Sequence, residues 1–412
     1  MNKQSLIERA ERLFKTDVRY VGKNGFWVLA GQGIVTVLGF ATSIAFANLL
    51  PQHEYGVYKY ILAIAALLGA LRLTGMQQAL TQAVARNFDT TVLLAIKMSL
   101  KWSLVVLGSA SLVAMYYWWH GNTVLSLGIF FATVTNVSIS TIGLYGGYLV
   151  GKHRFKTSTI HFSILTLATT CATVLSLSIT DNILYIILAN SFTTIVTLLA
   201  LSLPVLLRID KTRPVSKESL AFGKHLSAQN VLQVVASQID KIILFQWSGS
   251  VALAGYAFAV LLPEQLGTIA KSTIGIITPK YAIKDENSLR KSIRKKILRL
   301  SVLMAIPCVL YIILAPFVFN LLFPDYQDMV FLSQLYTIGL LALPANTLLA
   351  TYFNVRESTK TLYKIKITSA IGKIILLLGG VWFFGIVGAV LAGIFGRVLL
   401  LLIFSWYYNL NR

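Results

Sequence analysis

Six ionisable side chains fall inside long apolar runs of this sequence: Arg72, Asp240, Lys241, Glu264, Lys271 and Arg397. Charge in hydrocarbon is costly and is kept where it faces another charge, a polar partner or a wet cavity. Four of the six are basic, so the set is net positive. A cationic, water-filled cavity suits an anionic group such as a phosphate or diphosphate, with arginine supplying a bidentate fork. Arg72 opens the stretch LRLTGMQQALTQAVAR, where Gln77, Gln78, Thr81 and Gln82 form a polar strip. Such a strip at membrane depth belongs to a water-facing surface.

Each deep charge also has a quieter role open to it. Lys271 lies near a span end, where its stem can snorkel to the interface. Arg397, in GIFGRVLL, is closer to mid-span and fits a cavity wall or a contact between helices. Asp240 and Lys241 can neutralise each other, yet adjacent residues on a helix do not face one another and must find partners separately. Asp240 then either protonates during transport or accepts a hydrogen bond from a neighbouring helix. Pro263-Glu264 interrupts its span and frees a backbone carbonyl beside an acid. Asp240 and Glu264 are therefore the candidates for ion coupling. Pro307, Pro316 and Pro344 interrupt later spans, and broken helices at mid-membrane mark transporter binding sites.

The elements that must hold these residues follow from composition. Hydrophobic residues make up 56% and charged residues 12% of 412, with mean hydropathy +0.72, which excludes a set of soluble domains. Apolar runs of roughly 20 residues, each long enough to cross a bilayer, recur along the chain. They lie at 26–50, 57–80, 93–118, 124–150, 157–179 and 183–206. A second set follows at 223–247, 251–277, 297–323, 330–354, 363–383 and 386–408. The fold expected is an all-α polytopic membrane protein of about twelve helices.

Organisation follows the same runs. Residues 1–25 form a basic segment with Leu6, Ala10, Leu13, Phe14, Val18 and Val21 at helical spacing, suited to lying on the cytoplasmic leaflet. An N-lobe is expected over 26–207, a linker over 208–222 and a C-lobe over 223–412. The lobes are linked by a weak internal repeat: Leu49-Leu50-Pro51 overlays Trp247-Ser248-Gly249, and Tyr58 then overlays Tyr256.

A net charge of +21 would suggest nucleic acid for a soluble chain. Here the basic residues gather in short loops on one side, as in Lys152, Arg154 and Lys156, the run 280–299, and Lys364, Lys366 and Lys373. Lys59 is the basic residue left on the other side, with Asp181, Asp325 and Asp328. That asymmetry predicts a multi-pass membrane protein with both termini cytoplasmic, contacting membrane lipids and no nucleic acid. Cys171 and Cys308 read as packing residues, with neither a disulfide framework nor a metal site. No nucleotide-binding loop, zinc motif or nucleophile elbow is found, so no cofactor and no enzyme chemistry is expected.

Several stretches carry a resemblance: NLLPQHEYGVYKY, GMQQALTQAVAR, GGYLVGKHRF, SQIDKIILFQWSGSVALAGYAFA, PEQLGTIAKSTIGIITPKYA and LLFPDYQDMVFLSQLYTIG. With them the whole chain resembles the polysaccharide transporter (oligosaccharide, O-antigen type, flippase) family, in the superfamily that includes multidrug and toxic-compound extrusion transporters. The resemblance implies two six-helix lobes in a V around a central cavity, working by alternating access. It also implies a polyprenyl-diphosphate-linked oligosaccharide repeat unit as cargo, a role in surface polysaccharide assembly, and a polysaccharide polymerase among the partners. A cationic cavity is typical of the family, and Arg72, Lys241, Lys271 and Arg397 are the candidates here. The rival readings are a drug or metabolite exporter on the same fold and a membrane-embedded polymerase. Extrusion relatives usually carry acidic cavity residues, and the run 26–50 has none. Polymerases usually carry a large outer loop, and every loop here is short.

Overall fold

The computed structural model describes residues 18–275, 286–355 and 359–410, and every regular element among them is helical. In chain order these are α1 (Val18–Leu49), α2 (Gln52–Leu68), α3 (Met76–Ala85), α4 (Thr91–Trp119) and α5 (Thr123–Ile142). Then come α6 (Tyr145–Gly151), α7 (Phe155–Ile179), α8 (Ile183–Leu206) and the long α9 (Lys217–Gly275). The last are α10 (Glu286–Leu322), α11 (Val330–Ile338), α12 (Leu343–Val355) and α13 (Thr359–Leu410). The amphipathic segment expected over 1–25 lies mostly outside the described residues, as does 276–285 of the basic run.

Among the described residues, ten helical stretches are long and apolar enough to cross a membrane. Two of them, in α9 and α13, run 55 and 48 residues, more than twice the roughly 20 a bilayer needs. Each contains one glycine with positive φ, Gly249 (φ 84°) and Gly385 (φ 53°), where a side chain would be strained. The chain doubles back at both. Tyr256 bonds Asp240 across Gly249, although sixteen residues of straight helix would hold them roughly 24 Å apart. Gly380 and Gly388 likewise touch backbone to backbone across Gly385. Counting each long helix as two passes gives the expected twelve.

Other passes are interrupted without reversing. The second stops at a 3-10 turn, Gly69–Leu71, and resumes as α3. The fourth breaks between α5 and α6, and the tenth carries a 3-10 turn at Gly339–Ala342 between α11 and α12. Glycines let the pieces pack closely. A Cβ on Gly147 would lie 3.1 Å from the Gln77 carbonyl oxygen, and one on Gly151 only 2.9 Å from that of Thr81. Small residues four apart bring α6 onto α3, as in other membrane helix pairs.

Two compact units result, and they divide the chain differently from lobes drawn at 26–207 and 223–412. One runs to Phe46 and resumes at Ala65–Val231; the other joins Ala47–Ile64 to Leu232–Arg412. Within the first unit the connection Leu207–Ser216 is pinned to the start of α4. Thr90 Oγ1 donates to the carbonyls of Asp210 (3.2 Å) and Arg213 (2.6 Å), and the Ser216 amide donates to Thr91 Oγ1. The Asp210 carboxylate accepts from the Thr212 hydroxyl and amide and pairs with Arg213. Those hydrogen bonds, with the Arg213 charge behind them, hold its carboxyl below the usual range.

In the second unit, the two turns that overlay in sequence pack on each other. Gly56 meets the Ser250 backbone so closely that no Cβ fits, and Ser250 Oγ lies 2.7 Å from His53 Nδ1. Tyr60 stacks on Phe245 at 3.9 Å, and its hydroxyl accepts from Gln246. Asn48 and Gln52 donate to the carbonyls of Leu322 and Asp325. This dense polar and aromatic contact is what draws Ala47–Ile64 into the second unit. Cys308 is buried as expected, whereas Cys171 lies exposed on α7. A single cysteine on an apolar helix surface can face lipid as readily as protein.

Candidate functional site

Arg72 sits just past the 3-10 turn that ends the upper part of the second pass. The break after Leu71 leaves backbone groups without helical partners, and side chains from other helices take them up. Trp102 Nε1 donates to the Leu71 carbonyl (2.7 Å), and Ser227 Oγ accepts from the Gly75 amide (2.9 Å). Gly75 itself is locked, since a Cβ there would lie 2.8 Å from the Ser227 amide nitrogen and 2.9 Å from the Gly223 carbonyl oxygen. The half-buried Arg72 guanidinium donates from Nη1 to the Asn136 carbonyl at 2.6 Å, and its buried Nε has no partner among the described residues. No carboxylate pairs with it there.

The polar strip belongs to α3, set off from Arg72 by the break. Gln77, Gln78 and Gln82 are exposed, while Met76, Ala79, Leu80, Ala83 and Val84 are buried on the other side. Thr81 is spent locally, donating to the Gln77 carbonyl (3.0 Å) and approaching that of Gly147. Gln77 also lines a cavity of about 380 Å³ between α1, α5, α6 and α7, shared with Gln32, Tyr145, Phe155 and Thr159. None of the lining residues is charged.

In the second unit four of the five remaining candidates, Asp240, Lys241, Glu264 and Arg397, lie in linked surroundings. Glu264 Oε1 accepts from Arg397 Nη2 (2.5 Å) and from the Tyr336 hydroxyl (2.5 Å). Arg397 Nη2 also donates to Tyr336 Oη at 2.7 Å, and its guanidinium carbon lies 4.3 Å from the centre of the Tyr336 ring. Three passes are thus joined by one charged cluster. Asn346 Nδ2 donates to the Arg397 carbonyl (3.0 Å), and Gly339 leaves room for Nη1, which would lie 3.1 Å from a Cβ there. Arg397 Nη1 is buried without an acceptor among the described residues.

Asp240 and Lys241 do not pair side chain to side chain. Buried Asp240 accepts from the Tyr256 hydroxyl at 2.8 Å, and Lys241 Nζ donates to Gln238 at 2.8 Å. Lys59 and Lys373, assigned to opposite loop faces by the charge map, both lie within electrostatic reach of Lys241, as do Asp240 and Glu264. Lys373 packs against Gly396 beside Arg397 and donates to the Ala236 carbonyl at 3.0 Å. Lys59 caps the Tyr55 ring at 5.0 Å. Among these neighbouring groups four bases, Lys59, Lys241, Lys373 and Arg397, stand against two acids, Asp240 and Glu264, a net of +2. Lys271 lies apart, exposed near the end of the eighth pass.

Sequence reasoning missed Tyr256, Tyr336, Lys59, Lys373 and, outside the spans, Asp89. Asp89 is buried and paired with Lys152 at 2.7 Å. A tyrosine in an apolar run carries no sign that its hydroxyl meets an acid, and a lysine a few turns from a loop reads as loop charge. The acidic Asp89 in RNFDT, between two spans, was the readable signal.

Solved structures share this architecture. An outward-facing multidrug resistance MATE family transporter of the MOP superfamily matches with TM-score 0.60 at 15% identity, over 94% of each chain. A MOP superfamily transporter from Pyrococcus furiosus, described as having a binding pocket of reverse polarity, matches with TM-score 0.63 at 15% identity, again over 94% of each chain. The lipid II flippase MurJ in an inward closed conformation matches with TM-score 0.71 at 13% identity, over 93% of this chain and 87% of that one. No curated sequence matches the chain. The helical fold is thus shared with solved transporters of the MOP superfamily. The chain belongs to the polysaccharide biosynthesis protein family, whose profile matches residues 21–279.

Proposed function

We propose that the protein is a flippase that moves a polyprenyl-diphosphate-linked oligosaccharide from the cytoplasmic to the outer leaflet for surface polysaccharide assembly. It works by alternating access in the plasma membrane with both termini cytoplasmic, and it makes and breaks no bond in its cargo. Family membership supplies the polysaccharide context, and the transporter fold supplies the means. The observation that carries the anionic cargo is the excess of basic groups at membrane depth: Lys59, Lys241, Lys373 and Arg397 against Asp240 and Glu264, with Arg72 donating to a backbone carbonyl. A diphosphate cannot cross hydrocarbon unaided, because burying its unpaired charge costs several kcal/mol or more. Fixed cations in a wet path remove that barrier while the prenyl tail stays in lipid.

The likeness to multidrug transporters keeps a same-fold exporter as the rival, and a net-basic interior suits anions better than cationic drugs. Mass spectrometry of polyprenyl-linked sugars from cells lacking the gene separates the two. Completed repeat units are expected to accumulate and to return to normal with the intact gene. Unchanged lipids with increased drug sensitivity would favour the exporter.

A further inference from the structure

We propose that Glu264 is an exchangeable counter-anion, holding the Arg397 guanidinium until a phosphate group of a bound ligand takes its place. The inference deepens the flippase reading and rests on it only for the source of that phosphate.

The geometry is that of a partly used fork. A guanidinium and a carboxylate at their best make two parallel hydrogen bonds. Here a single oxygen, Glu264 Oε1, takes both Arg397 Nη2 and the Tyr336 hydroxyl, while Nη1 stays buried without an acceptor. The two partners are also unequally held. The Arg397 side chain is 17% exposed and the Glu264 side chain 42%, so the acid has an open side to move toward and the base does not. Pro263, directly before Glu264, removes a backbone donor and loosens the helix at that point. Tyr336 stays under the guanidinium and offers its hydroxyl to whichever oxyanion is present. A phosphate brings several oxygens to the fork and can satisfy Nη1 as well as Nη2 once the guanidinium turns. A carboxylate held only to tie three passes together has no reason to be the exposed partner and to leave half the fork unspent.

The test uses the full-length protein in phosphatidylcholine nanodiscs titrated with inorganic pyrophosphate, followed by calorimetry. Glu264→Gln keeps the size and the Tyr336 hydrogen bond but removes the competing charge, and it is expected to bind pyrophosphate at least tenfold more tightly than wild type. Glu264→Asp keeps the charge and is expected to show no such gain. Arg397→Gln, alone or combined with Glu264→Gln, is expected to abolish the gain. Repeating the titration in discs containing phosphatidylglycerol identifies the source: loss of the Glu264→Gln gain there means that a lipid headgroup fills the same place. If Glu264→Gln, folded with near wild-type thermal stability, binds no more tightly than wild type, or if no variant binds pyrophosphate, the exchange is wrong and the pair is only a tie between helices. A tenfold gain in the nanodiscs, together with polyprenyl-linked sugars that gene loss leaves unchanged in cells, would keep the exchange and sink the flippase reading.

Discussion

Two arginines at membrane depth, one in each compact unit, have been given opposite surroundings. Arg72 follows a break in its pass and donates to the backbone carbonyl of Asn136, with no acid bonded to it among the described residues. Arg397 lies within an unbroken stretch of α13 and donates to Glu264 and Tyr336. A guanidinium on a carbonyl keeps its full charge, whereas one on a carboxylate is largely neutralised until that acid moves or is displaced. Both residue types read alike in the sequence. Their environments make Arg72 a standing cation and Arg397 a conditional one.

The largest expected effect comes from breaking the conditional pair. Arg397→Ala leaves Glu264 without its counter-ion; losing one partner of a fully buried pair costs about 3–5 kcal/mol, and the half-open acid reduces this to about 2 kcal/mol. A thermal unfolding series with Glu264→Gln as the second mutation should recover most of the loss. Next is Gly75→Ala, which drives a Cβ against the Ser227 amide and the Gly223 carbonyl and should cost about 2 kcal/mol by overpacking. The same method measures it, and an unchanged melting temperature would mean that the break supporting Arg72 is loosely held.

Arg72→Ala removes a charged donor from the Asn136 carbonyl, for an expected loss of about 1–2 kcal/mol. Arg72→Lys should keep transport better than Arg72→Ala if charge is the requirement, and no better if the fork is. Gly339→Ala is a milder change, because the Cβ makes tight contacts, 3.1 Å to Arg397 Nη1 and 3.2–3.3 Å to Ile394, and none under 3.0 Å. A cost under about 1 kcal/mol is expected, with a larger effect on pyrophosphate binding than on stability. The smallest effect is pH-dependent and lies outside the membrane. The depressed carboxyl of Asp210 supports the folded connection above the ordinary carboxylate range, and that support is lost as pH falls through its lowered folded value. Amide exchange at Thr212 should therefore quicken on acidification, and Asp210→Asn should flatten the response.

Much of the scaffold was legible because a bilayer imposes one length on every pass. The run 183–206 and helix Ile183–Leu206 agree to the residue, the start being capped by Asn182 accepting from the Leu184 amide. The reversal at Trp247-Ser248-Gly249 was readable from a polar, glycine-containing interruption between apolar runs. The break after Leu71 was hidden, since Leu71 and Leu73 carry the apolar run straight through it. Pairing was the least legible part. Glu264 and Arg397 are 133 positions apart, and nothing in spacing says which passes become neighbours. Lys59 and Lys373 were read as loop charges because each lies only a few turns from a span end, within reach of snorkelling. For the same reason the sequence showed an excess of deep positive charge without showing that most of it gathers in one unit.

The central claim is that these cations serve the passage of a lipid-linked diphosphate, and translocation itself is the direct test. Purified protein reconstituted into vesicles carrying a fluorescent short-chain prenyl-diphosphate saccharide would be scored by the fraction of label that becomes reachable from the opposite leaflet. Wild-type protein should speed that exchange well above empty vesicles, with Arg72→Ala and Arg397→Ala close to the empty-vesicle rate. Equal rates for wild type and both variants, or no rate above empty vesicles, would contradict the account.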